Sequence, residues 1–251
     1  MNREYKRTVF SWSMYDFANQ PFTTLIITFI YSTYFVEAIA PDKIVGTVLW
    51  SRGITATALV VAFLSPIMGA IADQGGYRKV FLVFWSWVCI IGSFFSFYAL
   101  PGEIAKALFF VVLANIGFEM GGVFCNAYLP HIAPKDKIGR ISGYGWSLGY
   151  VGGLISLVFV MLLLVNPETP VFGFSTENGE NIRATNLLVA VWFAVFSIPT
   201  FLWVKDTPVR KRLSISLVNN SYVQIKQTFR EIRRYRQVSK FLVARVLYND
   251  G

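Results

Sequence analysis

The 251-residue chain is 55% hydrophobic and 17% aromatic but only 15% charged, against roughly 45–50% apolar and 25% charged residues in soluble domains. That composition excludes an ordinary soluble globule, and the net charge of +9 reflects where Lys and Arg fall along the chain, with no nucleic-acid partner implied. Two cysteines, Cys89 and Cys125, and one histidine, His131, supply neither a disulfide framework nor a metal site, and no cofactor is expected.

Six stretches reach the roughly 20 apolar residues that a membrane-spanning helix needs: about 9–37, 48–72, 79–100, 103–128, 141–165 and 185–204. Basic residues ahead of the first run, with Ala38 and Ala40 beyond it, have the outline of a signal peptide. The run is too long for one and carries Asp16, so the first span is expected to be retained. Of the 23 Lys and Arg, nineteen lie before span one, in the loops after spans two and four, and after span six; Lys43, Arg52, Lys106 and Arg183 fall on the other side. The positive-inside rule then puts the N-terminus and the segment after Lys205 in the cytoplasm of a multi-pass membrane protein.

Asp16 in span one and Glu119 in span four interrupt otherwise apolar runs. A carboxylate costs roughly 2.5–3.5 kcal/mol at mid-membrane on insertion scales, and it is tolerated where it faces protein or a watery cavity. At 100° per residue, Asn115, Glu119, Gly122 and Asn126 fall within about 60° of one another on span four, and Asp16, Gln20, Thr23 and Tyr34 form a comparable stripe on span one, with Asn19 at its edge. A structural role for each acid, paired with amide or backbone groups, is the competing reading.

The loop after span two reads Gly69-Ala70-Ile71-Ala72-Asp73-Gln74-Gly75-Gly76-Tyr77-Arg78-Lys79. Gly69 suits a close helix approach and Gly76 a tight turn. Asp73 suits a helix N-terminus, and Arg78 with Lys79 offers pairing charge. This loop resembles the Gly-x-Leu-Ala-Asp-x-x-Gly-x-Arg-Lys signature of the major facilitator superfamily, with Ile71 in the Leu place. Trp12-Ser13-Met14-Tyr15-Asp16-Phe17-Ala18-Asn19, Phe118-Glu119 through Tyr128-Leu129-Pro130, and Gly139-Arg140 through Gly149-Tyr150 are similar to the vacuolar amino-acid effluxer-like branch of that superfamily.

The resemblance covers the whole chain. It implies an all-α membrane protein: the six-helix N-terminal bundle of a major facilitator fold, with the start of a seventh helix. The expected division is 1–204 for the bundle, 205–240 for a basic linker and 241–251 for the opening of span seven. Tyr222, Ile225, Phe229 and Ile232 recur at helical spacing within the linker, so it reads either as an amphipathic surface helix or as an exposed connector.

By the resemblance, spans one and four line a central cavity, so Asp16, Asn19, Gln20, Asn115, Glu119 and Asn126 are the expected substrate or proton pathway. Gly69, Asp73, Gly76, Arg78 and Lys79 form the conformational loop. Two stripes of small residues, Ala58/Ala62/Ser65/Gly69 on span two and Gly145/Gly149/Gly152/Ser156 on span five, indicate close helix packing, and the resemblance turns both toward the second half of the molecule. Span four has Glu119 where many facilitators have Arg, and Tyr150 stands in the Pro place of the drug-antiporter pattern; both features count against a drug antiporter.

The expected function is secondary transport of a small polar solute, an amino acid among the candidates, with the lipid bilayer, the solute and a C-terminal six-helix half as partners. The expected site is a bacterial inner membrane. A non-transporting membrane sensor with the same fold is the alternative. No nucleophile–base pair, metal cluster or phosphate loop points to an enzyme. The chain alone is expected not to transport.

Overall fold

The computed structural model describes residues 3–205 and six single helical positions between 223 and 244. The linker and the opening of a seventh span, read from residues 205–240 and 241–251, lie almost wholly outside the described residues. Among the described residues six helices are long and apolar enough to cross a membrane: α1 Arg3–Ile39, α2 Lys43–Gly75, α3 Arg78–Ser96, α4 Ile104–Ile132, α5 Ile138–Val165 and α6 Glu177–Trp203. No strand occurs among the described residues. The chain is an integral, multi-pass, all-α membrane protein.

Local chemistry sets the helix ends. Asp42 starts α2 by accepting the Val45 N–H at 2.9 Å, satisfying one of the donors left open in a first helical turn. Gly76 ends α2 with φ +72°, a left-handed conformation that costs glycine nothing. Between α3 and α4, Glu103 accepts from the Leu100 N–H and pairs with Lys106, both at 2.9 Å, and these partners hold its carboxyl below its usual range. Inside α1 the backbone widens to π-helical geometry over Phe22–Phe29 and again over Phe35–Ile39, the first stretch directly after Pro21.

In the bundle α5 packs on α1, α1 on α6, α6 on α3, α3 on α4 and α4 on α2, while the Phe35–Ile39 end of α1 packs on α2 and α1 also touches α4. Aromatic side chains fill the interior, with Trp12, Tyr15, Phe22, Phe124 and Phe193 fully buried. Directional bonds fix helix register in a medium that offers little hydrophobic drive between helices. Trp12 Nε1 donates to the Cys125 carbonyl at 2.8 Å, joining α1 to α4. Tyr15 and Ser86 share a 2.8 Å hydrogen bond between α1 and α3. Thr200 Oγ1 on α6 donates to the Ser11 carbonyl at 2.6 Å.

Three expectations need correction. Span six begins well before residue 185, because the polar run Asn181, Arg183, Thr185 and Asn186 is buried inside the bundle. Asn181 Nδ2 donates to the Leu164 carbonyl at 2.9 Å. Arg183 is not a loop charge: its Nη1 donates at 2.7 Å to Phe97, whose carbonyl is left open where α3 ends, and its guanidinium lies over the Phe97 ring. The span-five stripe does not await another half, since Gly145, Gly149, Gly152 and Ser156 are all buried within this bundle.

A candidate solute cavity between three helices

A cavity of about 440 Å³ opens where α1, α4 and α5 converge. From α1 it is lined by Asp16, Asn19, Gln20 and Thr23; from α4 by Phe118, Glu119, Gly122, Val123 and Asn126; from α5 by Trp146, Gly149 and Tyr150. The structure thus brings Asp16, Asn19, Gln20, Glu119 and Asn126 to one wall. The aromatic anchors beside Asp16 in sequence produce this alignment: Trp12 and Tyr15 point inward and fix α1 against α4 and α3, leaving Asp16 on the cavity side. Asp16 is half-buried, whereas Glu119 and Asn126 are exposed on the open wall.

Asn115 does not line the cavity. It is buried, at 6% exposure, one turn beyond Glu119. Between the cavity and Asn115, α1 and α4 meet through the stacked rings of Phe22 and Phe118, 5.3 Å apart, the second of which is itself part of the cavity lining. Tyr34 is likewise elsewhere, donating its hydroxyl to the Asn178 carbonyl at 2.6 Å. The exposed rings of Trp146 and Tyr150 were missing from the sequence-level site. Their one-turn spacing on a helix already noted for glycines was the available signal.

Neither Asp16 nor Glu119 has a hydrogen-bond or ion-pair partner among the described residues, in contrast to Glu4, Glu37, Asp73 and Glu103, which each pair with a cation. Among the described residues no Lys, Arg or His lines this cavity. Two carboxylates without cationic partners therefore face one small polar space. Gly145 makes room for the first of them: a Cβ there would sit 2.5 Å from Asp16 Oδ2 and 3.1 Å from the Trp12 ring. At Gly152 a Cβ would run into the Phe17 carbonyl, so α1 and α5 touch backbone to backbone.

The loop motif folds locally. Arg78 Nε donates to Asp73 Oδ1 at 2.7 Å, with the Arg78 side chain 12% and the Asp73 side chain 53% exposed. Gly76 supplies the turn between them, and Lys79 follows, half-buried, in the first turn of α3. Gly69 differs from expectation: a Cβ there would meet nothing within 4 Å, so among the described residues it is not a close-packing point. It lies on the face of α2 that no other described helix covers.

Six helices long and apolar enough to cross a membrane, with an acid-bearing cavity at the convergence of three of them, define a polytopic membrane protein. Residues 47–139 and 135–251 match the family model of the vacuole effluxer Atg22-like proteins, and the chain belongs to that family. It is 27% identical over 256 residues to the uncharacterized MFS-type transporter YxiO of Bacillus subtilis, covering all of this chain and 59% of that protein. Autophagy-related protein 22 of Coccidioides immitis is 22% identical, over 77% of this chain and 41% of its own length. Autophagy-related protein 22 of Yarrowia lipolytica is 22% identical, over 81% and 46%. The chain spans about half the length of the relatives it matches, in keeping with a six-helix half of a major facilitator fold.

Proposed function

We propose that the protein is a secondary transporter of a small polar solute, and that the α1–α4–α5 cavity is one wall of its translocation path. The observation that carries this reading is the pair of carboxylates on one cavity of the bundle, neither with a partner among the described residues. Charge at such a depth is costly, and a purely structural acid would be held by a cation or by hydrogen-bond donors. A wall bearing Asp16 and Glu119 with no basic group favours a solute that carries a protonated amine, as amino acids do, or the passage of protons themselves. The similarity to an MFS-type transporter and to the vacuole effluxer-like family supports the same reading.

In this proposal alternating access comes from the bundle rocking against a second six-helix half, with the site between them. The Asp73–Arg78 pair biases one of the two states. Losing it shifts a population more than it unfolds the bundle, since a partly exposed ion pair is worth only about 0–1 kcal/mol. The N-terminus and the Asp73–Lys79 loop are assigned to the cytoplasm by their charge.

The decisive experiment is uptake into proteoliposomes by the full-length protein. Asp16→Asn and Glu119→Gln keep shape and remove charge, so each is expected to abolish or strongly reduce flux while the protein still folds. Gly145→Ala should do the same by displacing the Asp16 carboxyl. Arg78→Ala is expected to slow turnover at near-normal expression. Wild-type flux in both acid variants would leave the acids structural. Reporter fusions at residues 43, 102 and 175 should all read as external, and a cytoplasmic signal from two of them would reverse the orientation.

A further inference from the structure

On the other side of the α1–α5 seam lies a second cavity of about 360 Å³. Its body is apolar, formed by Val9 and Phe10 of α1 with Leu148 and Val151 of α5. Taking 100° per residue, the α5 residues that line it centre about 130° around the helix from Trp146 and Tyr150, so it faces away from the solute cavity. At the N-terminal end, Lys6 and Phe10 belong both to this groove and to a broad open depression of about 870 Å³ lined also by Arg3, Glu4 and Arg7. The groove and the depression are therefore continuous.

The charge of that depression is one-sided. Its single acid, Glu4, is paired with Lys205 at 2.8 Å, which leaves Arg3, Lys6 and Arg7 in excess. Arg7 lies over the Trp203 ring. Across the groove Arg140 Nε donates to the Tyr144 hydroxyl at 2.6 Å, adding a cation beside a ring that lines the wall. Ser13 also lines the groove. It is buried at 1% exposure, and its Oγ has no hydrogen-bond partner. A buried hydroxyl left unpaired costs about 1–3 kcal/mol, so it marks a place where a polar atom of a ligand is wanted. From Lys6 to Ser13 the helix rises about 10 Å, a span from headgroup depth into the acyl region.

We propose that this groove binds one anionic phospholipid of the leaflet on the side of the N-terminus. The phosphate sits in the Arg3/Lys6 depression, an ester oxygen reaches the Ser13 hydroxyl, and one acyl chain lies along Phe10, Leu148 and Val151. Charge complementarity selects an anionic headgroup, and the apolar body requires a tail, so neither free phosphate nor a neutral lipid fits the whole site. Because the lipid bridges α1 and α5, it braces the seam that also positions Asp16.

The test uses the purified full-length protein and a phosphatidylglycerol carrying a photoreactive acyl chain. Labelling is expected in peptides containing Val9–Ser13 and Tyr144–Val151, with unlabelled phosphatidylglycerol competing at least about fivefold better than phosphatidylcholine. Lys6→Gln and Arg3→Gln, both at exposed positions, should each cut that preference by about fivefold. Leu148→Trp, which fills the groove, should remove labelling there while sparing labelling elsewhere, and thermal unfolding of each variant reports folding. Equal competition by phosphatidylcholine means ordinary boundary lipid and overturns the proposal. So does labelling that survives Leu148→Trp in folded protein, or a photoreactive residue at position 148 that captures another segment of the protein in place of lipid.

Discussion

The two stripes of small residues in α2 and α5 have the same spacing in sequence and opposite fates in the fold. Gly145, Gly149, Gly152 and Ser156 are buried against α1, close enough that a Cβ on Gly152 would strike the Phe17 carbonyl. Ala58 and Ala62 are exposed, Ser65 and Gly69 only partly covered, and a Cβ on Gly69 would meet nothing. Small residues at helical spacing permit close approach. They do not name the partner, and here one stripe closes a seam inside the bundle while the other leaves a face open.

Substitutions that enlarge each stripe break the comparison in opposite ways. Gly152→Val carries the largest expected effect, because the obstructing atoms are backbone and cannot rotate away. Overpacking of this kind costs roughly 1–3 kcal/mol, and a clear fall in melting temperature by fluorescence-detected size exclusion is expected. Next comes Arg183→Met, which leaves the Phe97 carbonyl at the end of α3 without its donor. A loss of about 1–3 kcal/mol should appear in the same assay, with Arg183→Lys restoring part of it.

Ala62→Leu sharpens the contrast from the other side. On the exposed face of α2 it should change the stability of the 251-residue chain by less than about 0.5 kcal/mol. If the open face of α2 meets the second half of the protein, the same change should lower transport by the full-length molecule. A destabilised 251-residue chain would show instead that α2 is covered within it. The smallest effect is expected from Glu103→Gln, an exposed site between α3 and α4. Since its partners hold the Glu103 carboxyl below its ordinary value, its contribution is present above the usual carboxylate pKa and fades as pH falls through the lowered one. A melting curve of wild type minus variant against pH should therefore flatten at the acid end.

Much of the acid-bearing wall was legible in the sequence. The 3.6-residue period places Asp16 with Gln20 and Thr23, and Glu119 with Gly122 and Asn126, and all six line the same cavity. The same period misplaced Asn115 and Tyr34, since angular position does not report where two helices diverge. Phe22 and Phe118 stack at the level where the cavity ends, and the bonds from Tyr34 to Asn178 and from Arg183 to Phe97 join positions 144 and 86 residues apart. No local pattern encodes such pairings.

The sequence by itself determined that the chain carries six stretches long and apolar enough to cross a membrane, that two acids share that apolar setting, and that Asp73 and Arg78 stand close enough in the chain to pair. Each of these is a local property: hydropathy is a sum over about 20 neighbours, and the Asp73–Arg78 bond closes across five residues. Only the tertiary structure decided which faces meet. It buried the α5 stripe and left the α2 stripe open, joined Arg183 to Phe97, and set Trp146 and Tyr150 beside the carboxylates. Between helices in lipid the register comes from a few directional bonds and backbone contacts, such as Trp12 to Cys125 and Gly152 against Phe17, whose partners lie more than 100 residues apart in the chain.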